Sequence, residues 1–361
     1  MQIGIVGLPY SGKSTIFSTL TKNKSNENAY AGQAKAEKGM VKVPDARLDA
    51  VAEIFNPDKK TETTIEYIKV SGLEAEEAAS GSLPPQFIGN LKTVDAMLLM
   101  VRNFDSEMYP HPFGKIDPAS DIEFVNTEFL LSDLAIIESR VEKLEKSIMK
   151  MNKPEEKKEL EILMKCKGHL EKEEPLRTLT LDPVEEKLLR GFQFLSLKPI
   201  VYVINITDEE IPKTNAIIKE YEKLLTPKTA LTAFCAEIEK EISELEEEEQ
   251  QMFMEELGIE EPALKNLIRK SYELLGLISF LTVGEDECRT WTVKQGAKAP
   301  EAGGQIHSDI EKGFIRATVV SYEEFMQYKS LKACKEAGVL RLEGKEYIVQ
   351  DGDIMEFRFN V

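Results

Sequence analysis

The residues best suited to chemistry lie close to the start of the chain, in Gly7-Leu8-Pro9-Tyr10-Ser11-Gly12-Lys13-Ser14. A glycine, four free positions and then Gly-Lys-Ser is the pattern of a loop that wraps phosphate in backbone N–H groups while a helix N-terminus points at the same charge. Gly7 and Gly12 permit the close approach, and Pro9, Ser11 and Thr15 complete the candidate contacts. Lys13 supplies a point charge for the β and γ phosphates of a nucleoside triphosphate, which makes it the first catalytic candidate, and the Ser14 hydroxyl is the candidate Mg²⁺ ligand. The flanks agree with this reading. An apolar run precedes the loop, and Ile16, Phe17 and Leu20 follow it at helical spacing, so the order is strand, loop, helix.

A second constellation stands behind the apolar run Ile200 to Ile204, where Asn205 and Asp208 take the spacing of the N-K-x-D box of guanine readers. In such a box the Asp carboxylate accepts from the ring edge of the base. The lysine position holds Ile206, and Asn-x-x-Asp by itself is also a common strand-end turn. Ala236, in Cys235-Ala236-Glu237 after the run Ala230 to Phe234, sits where a further loop is laid against the base. His111, His169 and His307 stand alone, without a second ligand at metal-binding spacing, and read as structural. Cys166, Cys235, Cys288 and Cys334 show no C-x-x-C spacing, which fits reduced packing thiols better than zinc or a disulfide framework.

These residues need a scaffold. Apolar runs at Ile65 to Val70, Ala96 to Val101 and Pro199 to Ile204 have the length and β-branched content of buried parallel strands, and helices alternate with them. The expected fold class is α/β, a doubly wound, mostly parallel sheet carrying the phosphate loop. Leu130, Leu134, Ile137, Val141, Leu144 and Ile148 then repeat in a heptad seam; Pro154 breaks the helix, and Leu160, Leu163, Cys166 and Leu170 resume the spacing. Two such arms adjacent in sequence predict an inserted antiparallel helical hairpin rather than a dimer zipper. Beyond about residue 275, short alternating runs predict a sheet-rich α+β module, with a tight hairpin at Asp351-Gly352 between its last two strands. The expected domains are 1–128 with 192–275, 129–191 and 276–361.

With 361 residues and 42% hydrophobic content the chain can fill several cores. A net charge of −18 argues against a surface that coats DNA, though a local basic face remains compatible with it. No apolar run approaches the roughly 20 residues that cross a membrane, so the expectation is a cytoplasmic protein.

The motifs then combine into something more specific. Gly-Leu-Pro-x-x-Gly-Lys-Ser, Val-Pro-Asp45-x-Arg-Leu-Asp, Ser-Gly72-Leu73, Val-Arg-x-Phe, Ile-Asp-Pro-x-x-Asp-Ile-Glu and Cys-Ala-x-Ile-Glu occur in order, and Arg289 to Ala317 form a long, distinctive C-terminal block. The chain resembles the YchF/Obg-like ATPase family nearly end to end. That resemblance implies a nucleotide-binding domain split by the hairpin, a C-terminal TGS domain, ATP or GTP as ligand with ATP slightly ahead, Mg²⁺, and ribosome or translation-factor-like partners. It implies Gly72 as the second catalytic candidate, by its place in an Asp-x-x-Gly pattern. Two departures stand out. Lys69 occupies the position of the Asp that holds a Mg²⁺-bound water, and Gln33 falls where a first-switch Thr is usual. An ammonium at that site predicts weakened Mg²⁺ dependence and slow or lost hydrolysis, which leaves a slow switch and a non-hydrolysing binding module as the two expectations.

Overall fold

The computed structural model describes residues 1–22, 37–70, 81–151 and 153–360. Ala96–Arg102 and Ile200–Asn205 are buried at every position, the pattern of strands covered on both faces. In chain order the first strands are β1 (Gln2–Gly7), β2 (Glu37–Lys42), β3 (Lys59–Thr61), β4 (Thr64–Lys69), β5 (Ala96–Arg102), β6 (Ile200–Asn205) and β7 (Thr229–Phe234). One sheet runs β2-β4-β1-β5-β6-β7, and its pairings from β4 through β7 are all parallel. The core beside it gathers Val6, Leu99, Val101, Tyr202 and Ile204 with Phe87, Ile122, Val125 and Phe129. Parallel strands deliver the loops after β1, β5, β6 and β7 to one edge, where open α/β sheets bind ligands.

The seam leucines close a core of their own. Ile137, Val141 and Leu144 of helix Pro118–Met151 pack with Ile162, Leu163, Cys166 and Leu170 of helix Pro154–Leu170, as the heptad spacing predicts. Arg140 pairs with Glu159 at 2.7 Å and Lys167 with Glu138 at 3.0 Å, the crossed order of antiparallel arms. The first arm begins at Pro118, ahead of the expected boundary at 129, and Ile122, Val125 and Phe129 on its early turns belong to the sheet's core. At its base the buried Asp133 accepts from the backbone N–H of Leu195 and Ser196 and from the Ser196 hydroxyl, at 2.7 to 2.9 Å. Burial outweighs those three donors and pushes its carboxyl up to about 6.

The chain divides into two compact units, 1–40 with 66–267, and 41–65 with 268–361. The second unit contains β8 (Leu277–Thr282), β9 (Glu287–Lys294), β10 (Phe314–Ser321), β11 (Arg341–Glu343) and β12 (Asp353–Phe359). Its sheet runs β11-β10-β12-β8-β9-β3. The early strand β3 is parallel to β9, and Leu48 and Val51 of helix Ala46–Phe55 are buried with Leu281, Phe325 and Ile354. The C-terminal module therefore takes in a segment that the expected range 276–361 leaves out.

The hairpin expected at Asp351-Gly352 is corrected. Residues 347–349 form no strand with β12; instead Ala299 N–H donates to the Tyr347 carbonyl and Val349 N–H to that of Ala297. β12 lies between β10 and β8. The turn is held elsewhere: the Asp351 carboxylate accepts from the Ser279 N–H at 2.9 Å and from Arg47 at 2.8 Å. A dipeptide suited to tight turns reports a reversal of the chain, not which strand the reversed chain will pair with.

Candidate functional site

The loop between β1 and helix Lys13–Thr21 is shaped by two glycines. Gly7 has φ 149° and Gly12 φ 98°; a Cβ on Gly7 would collide with the Met100 carbonyl, and one on Gly12 with the Asn205 carboxamide. Tyr10 holds φ 62°, a left-handed conformation that costs a bulky residue about 1–3 kcal/mol and collects at functional sites. The helix begins without a side-chain cap. Its first N–H groups have no intrahelical acceptor and present the positive end of the helix dipole. Lys13 folds back over the loop and donates to the Leu8 carbonyl at 2.6 Å. Burial, and then the nearby Lys69 charge, lower its ammonium to about 8. Ser14 is exposed at the same mouth.

Four loops meet in a cleft of about 670 Å³, which brings Ser11, Gly12, Lys13, Ser14, Thr15, Asn205, Asp208 and Ala236 together. Gly7 and Pro9 shape the loop without lining the cleft. Gly72, Leu73 and Gln33 lie outside the described residues. Asn205 is buried, and its carboxamide is engaged at both ends: Nδ2 donates to the Ser11 carbonyl at 3.1 Å, and Oδ1 accepts from the Ala236 N–H at 3.0 Å. It therefore fastens the phosphate loop to the loop after β7. The exposed Asp208 opens the short helix Asp208–Lys213 at the wall of the cleft.

Arg102 is the cleft residue that the motif reading passed over. At the end of β5 it is 1% exposed, donates from Nε to the Phe104 carbonyl at 2.9 Å and from Nη1 to the Tyr109 carbonyl at 2.7 Å, and stacks on Phe104. Its Nη2 makes no hydrogen bond, and neither does the buried Ser11 hydroxyl. Both are polar atoms at the cleft that a polyanionic ligand can satisfy, so the residues present fit a nucleotide. The signal was Val101-Arg102-x-Phe104 itself, whose arginine lies at the end of a wholly apolar strand.

His111 pairs with Asp121 at 3.0 Å, His169 with the Thr178 hydroxyl at 2.8 Å, and His307 accepts from the Asp309 N–H at 3.2 Å. Cys166, Cys235, Cys288 and Cys334 are buried free thiols. Among the described residues no cluster of three or more His, Cys, Asp or Glu side chains is arranged to hold a metal, and no helix is long and apolar enough to cross a membrane.

Comparison with known proteins places this geometry. The family model YchF-GTPase_C, described as a protein of unknown function (DUF933), matches residues 277–360. The "Ribosome-binding ATPase YchF" of Haemophilus ducreyi is 44% identical over 362 residues, spanning 100% of this chain and 99% of that protein. The chain belongs to the YchF family. The YchF protein of Bacillus subtilis, with the same name, is 42% identical over 365 residues and the full length of both chains. The Schizosaccharomyces pombe YchF GTPase structure superposes with a TM-score of 0.87 at 29% identity, covering 99% of this chain and 97% of that one.

Within the YchF pattern the end of β4 is the point of disagreement. Lys69 replaces the Asp that the family pattern implies there; it is ion-paired with Glu37 of β2, and its ammonium lies 5.8 Å from the centre of the Phe17 ring. Mg²⁺ takes oxygen ligands. Among the described residues the oxygen donors there are the Ser14 hydroxyl and the Glu37 carboxylate, which is already paired with Lys69, and an ammonium at the carboxylate's place does not fit the metal as the family pattern implies.

Proposed function

We propose that this chain binds a purine nucleoside triphosphate, ATP or GTP, in the cleft at the phosphate loop and acts in the cytoplasm as a slow, ribosome-associated switch. One observation carries the reading: Lys13, the open helix N-terminus, Asp208 and the Ala236 loop face a single cleft, held together by Asn205. Backbone donors and Lys13 take the phosphates, and Asp208 with the loop after β7 takes the base. The ribosome-binding names of the relatives support the partner, and the 276–361 segment, as a TGS-like module, supplies the contact surface. Hydrolysis is at or below the intrinsic rate of an unstimulated Ras-like protein, on the order of 10⁻⁴ per second, because phosphoryl transfer depends on positioned charge that Lys69 alters.

Lys69 also favours a second reading, a module that holds nucleotide without turning it over while its C-terminal unit engages the ribosome. Single-turnover hydrolysis of ATP and GTP, run beside ribosome co-sedimentation of the full chain with and without each nucleotide, separates the two. A slow switch gives a measurable single-exponential turnover and nucleotide-dependent sedimentation; the binding module gives neither turnover nor a nucleotide effect. Failure to bind either nucleotide would defeat both.

A further inference from the structure

β4 ends beside the phosphate loop because Lys69 is in parallel register with Ile5 of β1, two residues before Gly7. The strand end therefore carries an ammonium where the YchF pattern has a cation-holding carboxylate, close enough to Lys13 for the two charges to repel. Two contacts hold it there. Glu37 of β2 supplies a counter-charge, and the face of Phe17, on the phosphate-loop helix itself, lies 5.8 Å from the ammonium. The Lys69 side chain is 17% exposed and that of Glu37 44%, so the carboxylate is the better-hydrated partner of the two. Lys13 also feels the second cation, which helps to depress its own protonation.

Two cations flanking one loop repel each other unless an anion joins them. A triphosphate is such an anion, and it competes with Glu37 for Lys69. A divalent cation at the same place meets the ammonium's repulsion, and the Glu37 carboxylate beside it is already paired with that ammonium. We infer that Lys69 serves as a built-in substitute for the divalent metal, so that this protein binds purine nucleoside triphosphates by two lysines, Lys13 and Lys69, without needing Mg²⁺. This rests on the nucleotide-binding reading above and adds to it how the phosphate charge is balanced. Glu37 then acts as the counter-ion of the empty state, released when phosphate takes its place.

The test uses the full chain and titrates ATP and GTP by calorimetry, once in excess Mg²⁺ and once in EDTA. Affinity in the two buffers should agree within about threefold. Lys69→Asp should weaken binding in EDTA and restore a Mg²⁺ response of about tenfold or more, since a carboxylate then stands where the metal sits. Glu37→Gln should tighten binding of the unmetallated nucleotide, by removing the competing carboxylate. Because the unmodified chain alone decides the main point, a misfolded variant cannot rescue the idea. A loss of more than about tenfold in affinity on moving the unmodified chain to EDTA overturns the inference and leaves nucleotide binding intact. If that metal response disappears in Glu37→Gln, Glu37 is itself a metal ligand and the inference is equally overturned. Binding absent in both buffers overturns the nucleotide-binding reading and this inference with it.

Discussion

The Asn205 carboxamide donates to the Ser11 carbonyl at 3.1 Å across the floor of the cleft, while its oxygen accepts from the Ala236 N–H. Both hydrogen bonds of the carboxamide go to protein backbone, so its contribution to binding is to hold two loops in register. Asn205→Ala leaves a buried carbonyl and a buried N–H without partners, each worth about 1–3 kcal/mol. Calorimetry should show ATP and GTP affinity falling together, by roughly one to two orders of magnitude. A loss confined to one nucleotide would instead make Asn205 a base reader.

Asp208 is expected to behave differently, because its exposed carboxylate has no part in that bridge. Asp208→Ala should cost GTP about tenfold or more and ATP little, since only guanine offers a pair of ring-edge donors to a carboxylate. The ratio of the two dissociation constants is the measurement, and equal losses would remove Asp208 from base recognition.

Lys13 gives the site a pH dependence. Its ammonium is lowered to about 8 by burial and by Lys69, so the charge that meets phosphate is complete below that value and is lost as pH rises through it. Affinity of the unmodified chain should hold from pH 6 to about 7.5 and fall above about 8, up to tenfold per pH unit. Lys69→Met removes one depressing charge and should move the break upward. Lys13→Ala should weaken binding severely at every pH and remove the break near pH 8, because the phosphates then keep only backbone dipoles and Lys69.

Leu48 tests the unexpected composition of the C-terminal unit. It is fully buried against Leu281, Phe325 and Ile354, so Leu48→Ala should destabilise that unit by about 2–5 kcal/mol. Thermal unfolding followed at Trp291, the chain's single tryptophan and a β9 residue of the same unit, reports it directly. Truncation near Leu275 strands Leu48 and Val51 without their core, so the shortened chain should aggregate instead of yielding a clean nucleotide-binding fragment.

Local pattern carried much of this protein. The phosphate loop was legible because Gly7, Gly12, Lys13 and Ser14 act within a single turn of chain, where spacing and geometry are nearly the same thing. The parallel strands and the hairpin were legible because continuous apolar runs and a heptad seam state which faces must be buried. What only the tertiary structure decided are the relationships between distant segments. Nothing in the run from Val41 to Ile65 announces that Leu48 and Val51 belong with Leu281, since two apolar residues on a short helix suit any core. Asp351-Gly352 announced a turn correctly, and the partners of that turn, Ser279 and Arg47, came from elsewhere in the chain. Arg102 reads as a misplaced charge in an apolar strand until the fold sets the Phe104 and Tyr109 carbonyls around it, and Lys69 reads as a lost metal ligand until Glu37 and Phe17 are seen to hold it. In each case the sequence named the residue, and long-range packing, whose free energy depends on partners far apart in the chain, assigned its work.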